Sequence, residues 1–343
     1  MTQEASGAAP GIAIPGGFPA LRGKRVAIPA PSYQMLRIAG GAAQIDHERR
    51  EAALANMARL GMVTTLLEGA MEMRGRYAGP DERRAQDLEA ALLLSGADLV
   101  MPLRGGYGMT RLLHMLDWEA IGRAGSDAIG FSDFTAFNLA LLAKTGRASW
   151  QGPMAASFAR PDTFTMERLA AALAGPASLE WRPDAEHPEL LGGVDLAKPS
   201  GMHFSGTVWG GNLCLLESLV GTPWLPGREI TDGGILFLED VAEASYRVER
   251  MLLTLLEAGI LARQRAILLG SFTNADDARR FPGDHALGEA LSYIRSRLPG
   301  TIPMVTNLPF GHVPAMATLP VGRAGELALG RSEEGVVARL AWR

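Results

Sequence analysis

Short apolar runs alternate with longer amphipathic stretches from Lys24 to about residue 146. The run "RVAIPA" is typical of a buried strand, and "DHERREAALANMARLG" has the apolar spacing of a helix that ends at Gly61. Further strands are predicted in "MVTTLLEG", "DLVMPL" and "DAIGF", and further helices in "PDERRAQDLEAALLLSG", "TRLLHMLDWEAIG" and "DFTAFNLALLAKTG". This alternation predicts a parallel sheet covered by helices on both faces, and ligands bind such sheets beyond the carboxyl ends of the strands.

The alternation is lost after "SWQGPM" and then begins again. The second region has strand patterns in "GILFLE", "QRAILLGSF" and "TIPMVTN", helix patterns in "SYRVERMLLTLLEAG" and "HALGEALSYIRSRL", and a closing hairpin pattern in "ELALGRSEEGVVARLAW". We therefore predict an α/β protein with a flexible arm (1–22), an N-terminal domain (23–160), a linker rich in Pro, Ala and Asp (161–200) and a C-terminal domain (201–343).

Composition excludes several classes of protein. The chain has 343 residues, 47% hydrophobic and 20% charged, with a net charge of −4 and both signs interspersed, so it is globular and lacks the positive field that nucleic-acid binding needs. No apolar run reaches the ~18 residues of a membrane span, and the N-terminus does not have the pattern of a signal peptide, so we expect a cytoplasmic protein. Cys214 is the one cysteine, and no histidines are paired at metal-ligand spacing, so we expect neither a disulfide nor a metal or other cofactor.

Ser132 in "GFSDFTA" lies where a strand ends and a helix begins. That place suits a nucleophile exposed beside the amides of the next helix, although Phe134 replaces the second glycine of the elbow pattern glycine-x-serine-x-glycine. It equally suits a helix N-cap, with Asp133 in the first turn. On spacing alone the cap is favoured, because caps far outnumber nucleophiles.

A serine nucleophile needs a base and an acid that orients it. His312 in "NLPFGHVPAMATLP" lies in a loop after a predicted strand, where catalytic groups concentrate, but a lone loop histidine is more often a surface residue. Glu239 ends the apolar run "GGILFLE" and is either an orienting acid or an ordinary turn carboxylate. The order Ser132, Glu239, His312 matches that of some hydrolases, which is weak evidence.

The glycines of "RGGYG" follow a predicted strand and let backbone amides face a ligand. This loop fits neither the dinucleotide fingerprint nor the P-loop. A phosphate site and an oxyanion hole both remain open at this point.

Several blocks together resemble the LD-carboxypeptidases, the group that includes murein tetrapeptide carboxypeptidases. They are "RGGYGMTRLLHMLDW", "GFSDFTA", "GTVWGGNLCLLESLVGTPWLP", "GILFLEDVAEASYRVERMLL", "AGILARQRAILLGSF" and "FGHVPAMATLPVG", and they follow the family's order from about Arg25 to the end of the chain. The resemblance implies a flavodoxin-like N-terminal domain and a smaller, β-rich C-terminal α/β domain. The active site would lie between these domains.

The same resemblance implies roles for individual residues. Ser132 would be the nucleophile, Glu239 the acid and His312 the base, with the amides of Gly106 and Asp133 forming the oxyanion hole. The reaction would release the terminal D-alanine of a muropeptide tetrapeptide in cell-wall recycling, and the enzyme would be a homodimer.

Two further residues are candidates for substrate binding. Arg104, beside the glycine loop, could grip the free carboxylate of the substrate with two parallel hydrogen bonds, or it could bridge structural carbonyls or Asp133. Asn212 in "WGGNL" is a weaker candidate for lining the cleft. The alternatives to a muropeptide enzyme are a microcin-type peptidyl-nucleotide hydrolase of the same family and a non-catalytic, two-lobed protein that binds a small ligand.

Overall fold

The computed structural model describes residues 17–94, 96–196, 201–276, 281 and 283–343. Most of the predicted N-terminal arm therefore lies outside the described residues. Within the described ranges, no helix combines the length and the apolar character needed to cross a membrane.

The elements have the following bounds. The strands are β1 (Arg25–Ile28), β2 (Leu36–Ala39), β3 (Ala42–Ile45), β4 (Val63–Leu66), β5 (Leu99–Val100), β6 (Asp127–Ala128), β7 (Ser149–Gln151), β8 (Ala177–Trp181), β9 (Met202–Asn212), β10 (Ile235–Val241), β11 (Ala266–Thr273), β12 (Met304–Val305), β13 (Leu319–Val321), β14 (Arg323–Ser332) and β15 (Gly335–Trp342). The α-helices are α1 (His47–Arg59), α2 (Asp81–Leu93), α3 (Trp118–Arg123), α4 (Thr135–Thr145), α5 (Thr163–Ala174), α6 (Leu213–Ser218), α7 (Arg228–Thr231), α8 (Ser245–Glu257) and α9 (Leu287–Ser296).

The N-terminal sheet has the order β4-β1-β5-β6, and every pairing in it is parallel. The central strands β1 and β5 are almost entirely buried, as expected for a parallel sheet covered on both faces. The sheet confirms the predicted parallel N-terminal architecture. The loops after β5 and β6 consequently leave the same edge of the sheet.

The C-terminal sheet has seven strands in the order β12-β11-β10-β9-β14-β15-β8. Strands β9 to β12 pair in parallel, whereas β14, β15 and β8 add an antiparallel extension that includes the predicted closing hairpin. The C-terminal part is therefore a β-rich α/β structure, as predicted.

The segment predicted as a linker, 161–200, contains α5 and β8. Strand β8 pairs with β15, and its residues Leu179 and Trp181 are buried in the core of the second sheet. Alternate residues of this short strand face inward, a pattern that the surrounding prolines and alanines obscured. The end of the predicted arm is also packed, since Leu21 is fully buried.

The predicted third helix, "TRLLHMLDWEAIG", is broken in the structure. Two 3₁₀ turns (Met109–Arg111 and Leu113–Met115) precede the short helix α3. Asp117 causes the break, because its side chain accepts a hydrogen bond from the amide of Ala120 and caps a new helix at that point.

Candidate active site

Ser132 lies between β6 and α4 with a φ angle of +61°. A residue with a Cβ is strained in this left-handed conformation, and such strain is concentrated at functional sites. Gly130 makes the turn possible, because a Cβ there would lie 2.6 Å from the Phe134 ring and 2.9 Å from Pro102. Helix α4 has no side-chain cap among the described residues, so Ser132 does not act as its N-cap.

The hydroxyl of Ser132 instead faces His312. Its Oγ lies 3.0 Å from Nε2 of the imidazole, although the two residues are 180 positions apart in sequence. His312 lies in the loop after β12, its side chain is 22% exposed, and the ring of Phe131 packs 5.0 Å from its own. The structure thus brings the two residues together across the two sheets.

Glu239 completes a chain of hydrogen bonds. Its Oε2 lies 2.8 Å from Nδ1 of His312, and the glutamate is fully buried at the carboxyl end of β10. Gly311 allows the loop to approach so closely, because a Cβ at this position would lie 3.1 Å from Oε2 of Glu239. The arrangement Ser–His–Glu is the one that transfers a proton from a serine to an imidazole oriented by a carboxylate.

Asn212 lies behind Glu239 rather than in the cleft. Its Nδ2 donates to Oε1 of Glu239 and to Oδ1 of Asp240, each at 3.1 Å, and its side chain is buried. From the sequence, we expected Asn212 to line the substrate cleft. The matched register of β9 and β10, which pairs Asn212 with Glu239, explains the contact.

The glycine loop after β5 lies against Ser132. A Cβ on Gly105 would lie 2.9 Å from Cβ and 3.0 Å from Oγ of Ser132, so only glycine fits there without displacing the serine. Gly106 has a φ of +126° and packs on Tyr33, where a Cβ would meet the ring at 2.3 Å. This approach is consistent with a backbone donor from Gly106, whose role as an oxyanion amide stays a prediction.

The side chain of Asp133 is buried in the site, and the role of its amide in an oxyanion hole stays a prediction. Its Oδ2 accepts hydrogen bonds from the hydroxyl of Ser32 at 2.6 Å and from the amide of Met109 at 2.8 Å. Burial raises the pKa of this carboxyl. Asp133 therefore connects the turn that contains Ser132 to the loop between β1 and β2, through Ser32, and to the end of the glycine loop, through Met109.

Ser132 and His312 open onto a cavity of about 250 Å³. The cavity is lined by Arg49, Arg104, Gly105, Gly106, Phe131, Ser132, Met154, Ala156, Ser157 and His312. A larger cleft of about 880 Å³ shares Arg49, Phe131, Ala156 and Ser157 with it. Ser132 and His312 therefore lie next to a cleft that has room for an extended ligand.

Arg104 lies on the wall of this cavity. Its Nε donates to the carbonyl of Gly105 at 3.2 Å and its Nη1 to that of Gln34 at 3.4 Å, so it bridges structural carbonyls as well as facing the cavity. No carboxylate of the described residues forms an ion pair with it. Burial, together with the nearby charges of Arg49 and Arg76, lowers the pKa of Arg104. Among the described residues, the site thus presents a positive charge that forms no ion pair with a carboxylate.

Comparison with known proteins identifies the family. Residues 26–152 match the LD-carboxypeptidase N-terminal domain, and residues 205–327 match the LD-carboxypeptidase C-terminal domain. The chain belongs to the LD-carboxypeptidase family. The murein tetrapeptide carboxypeptidase of Pseudomonas aeruginosa is 35% identical over 75% of this chain and 81% of its own length.

Solved structures agree with this family assignment. The crystal structure of muramoyltetrapeptide carboxypeptidase from Oxalobacter formigenes is 35% identical, has a TM-score of 0.75 and covers 93% of this LD-carboxypeptidase and 98% of the solved chain. An MccF-like protein from Bacillus anthracis has a TM-score of 0.76 over 94% of this chain and 98% of its own, but at 22% identity it shows only that the fold is shared. The chain is a serine-type LD-carboxypeptidase.

The groups available for other chemistry are few in this LD-carboxypeptidase. Within the described ranges, no three His, Cys, Asp or Glu side chains are grouped so that they could hold a metal ion. Cys214 is partly buried, and burial raises the pKa of its thiol to about 11, so it is a poor nucleophile near neutral pH.

Proposed function

We propose that this enzyme hydrolyses the amide between an L-configured centre and the terminal D-alanine of muropeptide tetrapeptides, in the recycling of cell-wall peptides. The observation that carries the proposal is the hydrogen-bonded chain from Ser132 through His312 to Glu239, at 3.0 and 2.8 Å, in a cavity that also contains an unneutralised arginine. The names of the two 35% identical relatives support the same class of substrate.

The chemistry follows from the roles of these groups. Nε2 of His312 takes the hydroxyl proton as Oγ of Ser132 attacks the peptide carbonyl. Glu239 stays ionised, accepts the Nδ1–H bond and stabilises the imidazolium. The imidazolium then protonates the amine of the leaving D-alanine, and a water molecule, deprotonated by the same imidazole, hydrolyses the acyl-enzyme.

Backbone amides stabilise the charge that develops on the carbonyl oxygen. The amides of Gly106 and Asp133 are our candidates, because one belongs to the loop packed against Ser132 and the other follows Ser132 directly in the chain. A preorganised donor of this kind contributes ~3 kcal/mol to transition-state stabilisation.

Arg104 is our candidate for the group that reads the free carboxylate of the terminal D-alanine. It lines the same cavity as Ser132, and its charge has no carboxylate partner in the part of the chain that the structure describes. A guanidinium can bind a carboxylate through two parallel hydrogen bonds. This preference for a free terminus distinguishes an exopeptidase from a general amidase.

A panel of four peptides tests the proposal. Mass spectrometry should detect the loss of D-alanine from the tetrapeptide, with cleavage at least tenfold slower for the C-terminally amidated tetrapeptide and for the L-alanine analogue. The fourth member, a pentapeptide, places the L,D-bond one residue from the terminus and should resist. If none of the panel is cleaved while a serine-directed reagent labels Ser132, the proposal is wrong and the peptidyl-nucleotide alternative gains support.

We also propose that the enzyme acts in the cytoplasm, as the sequence pattern suggests, and that it is a homodimer, as the resemblance implies. Light scattering at micromolar concentration should give twice the 36.5 kDa mass of the chain. A mass near that of one chain would contradict the dimer.

A further inference from the structure

Both N–H groups and the carbonyl oxygen of the Asn212 side chain have hydrogen-bond partners inside the protein. Its two N–H groups point to Glu239 and Asp240, and its Oδ1 accepts from the amide of Leu215 at 3.1 Å, which caps α6. The residue is only 4% exposed. Both donors of the Asn212 side chain are therefore engaged inside the protein, and its burial keeps the amide away from a bound substrate.

Asp240, the second carboxylate on this amide, is itself held rigidly. Its Oδ1 also accepts from the amide of Val241 at 2.8 Å, and its Oδ2 accepts from the amide of Cys214 at 2.9 Å. Consecutive residues of a strand normally face opposite sides, but the register of β10 against β11 shifts between Leu238 and Asp240. An irregularity of this kind re-aims a side chain, so that neighbouring carboxylates reach one amide.

The backbone of Asn212 extends this network to the nucleophile's side of the cleft. Its amide donates to Oγ1 of Thr135 at 3.1 Å, and the same Oγ1 accepts from the side chain of Gln151 at 2.9 Å. Thr135 is the first residue of α4, three positions after Ser132. A single asparagine thus contacts the acid of the triad, a second acid and the helix that follows the nucleophile.

We propose that Asn212 is a positioning residue that fixes Glu239 against His312, with Asp240 as the anchor for its shared amide. The backbone amides of Val241 and Cys214 hold the carboxylate of Asp240 in place. Asp240 and the amide of Leu215 in turn hold the side chain of Asn212. Asn212 then binds Oε1 of Glu239, so that Oε2 faces the imidazole of His312. The proposal rests on the serine chemistry proposed above but not on the identity of the substrate.

The carboxylate of Asp240 also affects the site electrostatically, because it lies beside Asn212 and Glu239. Burial raises the pKa of Asp240 to about 6, hydrogen bonds from the backbone oppose the rise, and the charge of Glu239 adds to it. Near pH 7 the site therefore contains two neighbouring negative charges behind His312. Arg49 and Arg104 line the same cavity as His312, and the substitutions below leave both in place.

The first test needs no peptide substrate. A phosphonofluoridate labels an activated serine, and the pH at which its rate with Ser132 is half-maximal reports the fraction of neutral imidazole. Asn212→Asp keeps the acceptor that caps α6 but loses both donors and adds a negative charge, so the midpoint should rise by about half a pH unit or more. Asp240→Asn removes a negative charge, so the midpoint should fall by a similar amount.

The same substitution at a distant position provides a matched control. Asn56→Asp, on α1, changes an asparagine that donates to the carbonyl of Phe158, and it should leave the midpoint unchanged. Midpoints of Asn212→Asp and Asp240→Asn within about 0.2 pH units of wild type would overturn the proposal. If Asn212→Asp does not fold, Asp240→Asn decides the test by itself.

Kinetics on the tetrapeptide separate positioning from substrate binding. For Asn212→Asp we expect kcat to fall about tenfold or more with KM within about twofold of wild type. A raised KM with unchanged kcat would instead make Asn212 a substrate contact and refute the proposal. Should the wild-type enzyme leave the tetrapeptide intact, the proposed function fails, and the labelling midpoints still decide the role of Asn212.

Discussion

The two halves of the active site are built by different means. On the N-terminal side, Ser132 is placed by the backbone: a left-handed φ, Gly130 within the turn and Gly105 packed against its side chain. On the C-terminal side, Glu239 and His312 are held mainly by hydrogen bonds between side chains, from the irregular strand β10 and from a loop whose close approach Gly311 allows. The nucleophile's half should therefore be sensitive to added volume, and the half with the base and acid to lost polar partners.

The largest effect is expected where the two halves meet. Ser132→Ala and His312→Ala should each lower kcat by ~10⁴-fold or more, and the double variant should be hardly worse, because the groups act as one unit. The measurement is steady-state turnover of the tetrapeptide together with a thermal melt to verify folding. Near-normal turnover by Ser132→Ala would refute the serine mechanism.

A methyl group added at Gly105 tests the sensitivity of the nucleophile's half. Gly105→Ala would place its Cβ 2.9 Å from Cβ of Ser132, so the serine must shift and kcat should fall about 100-fold. Gly125→Ala is the matched control, because nothing lies within 4 Å of its added Cβ, and it should retain full activity. Equal kcat values for the two variants would show that the close packing on Ser132 does not matter.

Loss of the arginine tests whether the cavity reads a carboxylate. Arg104→Ala should raise KM for the free tetrapeptide about tenfold and leave the slow cleavage of the amidated peptide nearly unchanged. The exposed Arg123, which pairs with Glu119 on the surface, gives the control Arg123→Ala. An equal loss on both peptides would remove Arg104 from carboxylate recognition.

The smallest predicted effect is the pH dependence that Asp240 confers on stability. The pKa of Asp240 is raised from 3.8 to about 6 in the folded protein, so the folded state binds a proton more readily than the unfolded chain. The free energy of unfolding that this proton contributes is fully present below pH 3.8 and is lost as the pH rises through 6. That difference corresponds to a free energy of unfolding of at most about 3 kcal/mol. Asp240→Asn should remove this dependence, so its Tm relative to wild type should rise between pH 4 and pH 7 in differential scanning calorimetry. A Tm difference that is the same at both pH values would contradict it.

The sequence pattern predicted the parts of the fold that have long, regular apolar periodicity. The helices α1, α2, α8 and α9 and most strands of the parallel sheets were predicted because burial on one or both faces repeats along the chain. Strand β9 was missed, since Gly206, Gly210 and Gly211 interrupt its apolar pattern. Close packing against the neighbouring strand explains a glycine in this strand, because a Cβ on Gly210 would lie 1.9 Å from the carbonyl oxygen of Phe237.

The site residues divide in the same way. Ser132, Glu239 and His312 could be named from their places after apolar runs and from the resemblance, because strand ends are readable in sequence. Asp240 was not singled out from the sequence, and Asn212 was interpreted as a weaker candidate for lining the cleft. The contact between Asn212 and Glu239 follows from the register of β9 against β10. No sequence pattern specifies the register between two strands that are 23 residues apart, so this contact could not be predicted.

By itself, the amino-acid sequence determined the class of fold and the order of most elements, since these depend on local periodicity, and together with the family resemblance it named Ser132, Glu239 and His312 as the candidate site residues. Only the tertiary structure decided that Ser132 adopts a left-handed conformation instead of capping α4, that the predicted linker adds a strand to the second sheet, and that Asn212 joins two carboxylates. The physical reason is that hydrogen bonds and steric contacts between distant segments depend on sheet register and on the approach of two sheets, and local propensity encodes neither.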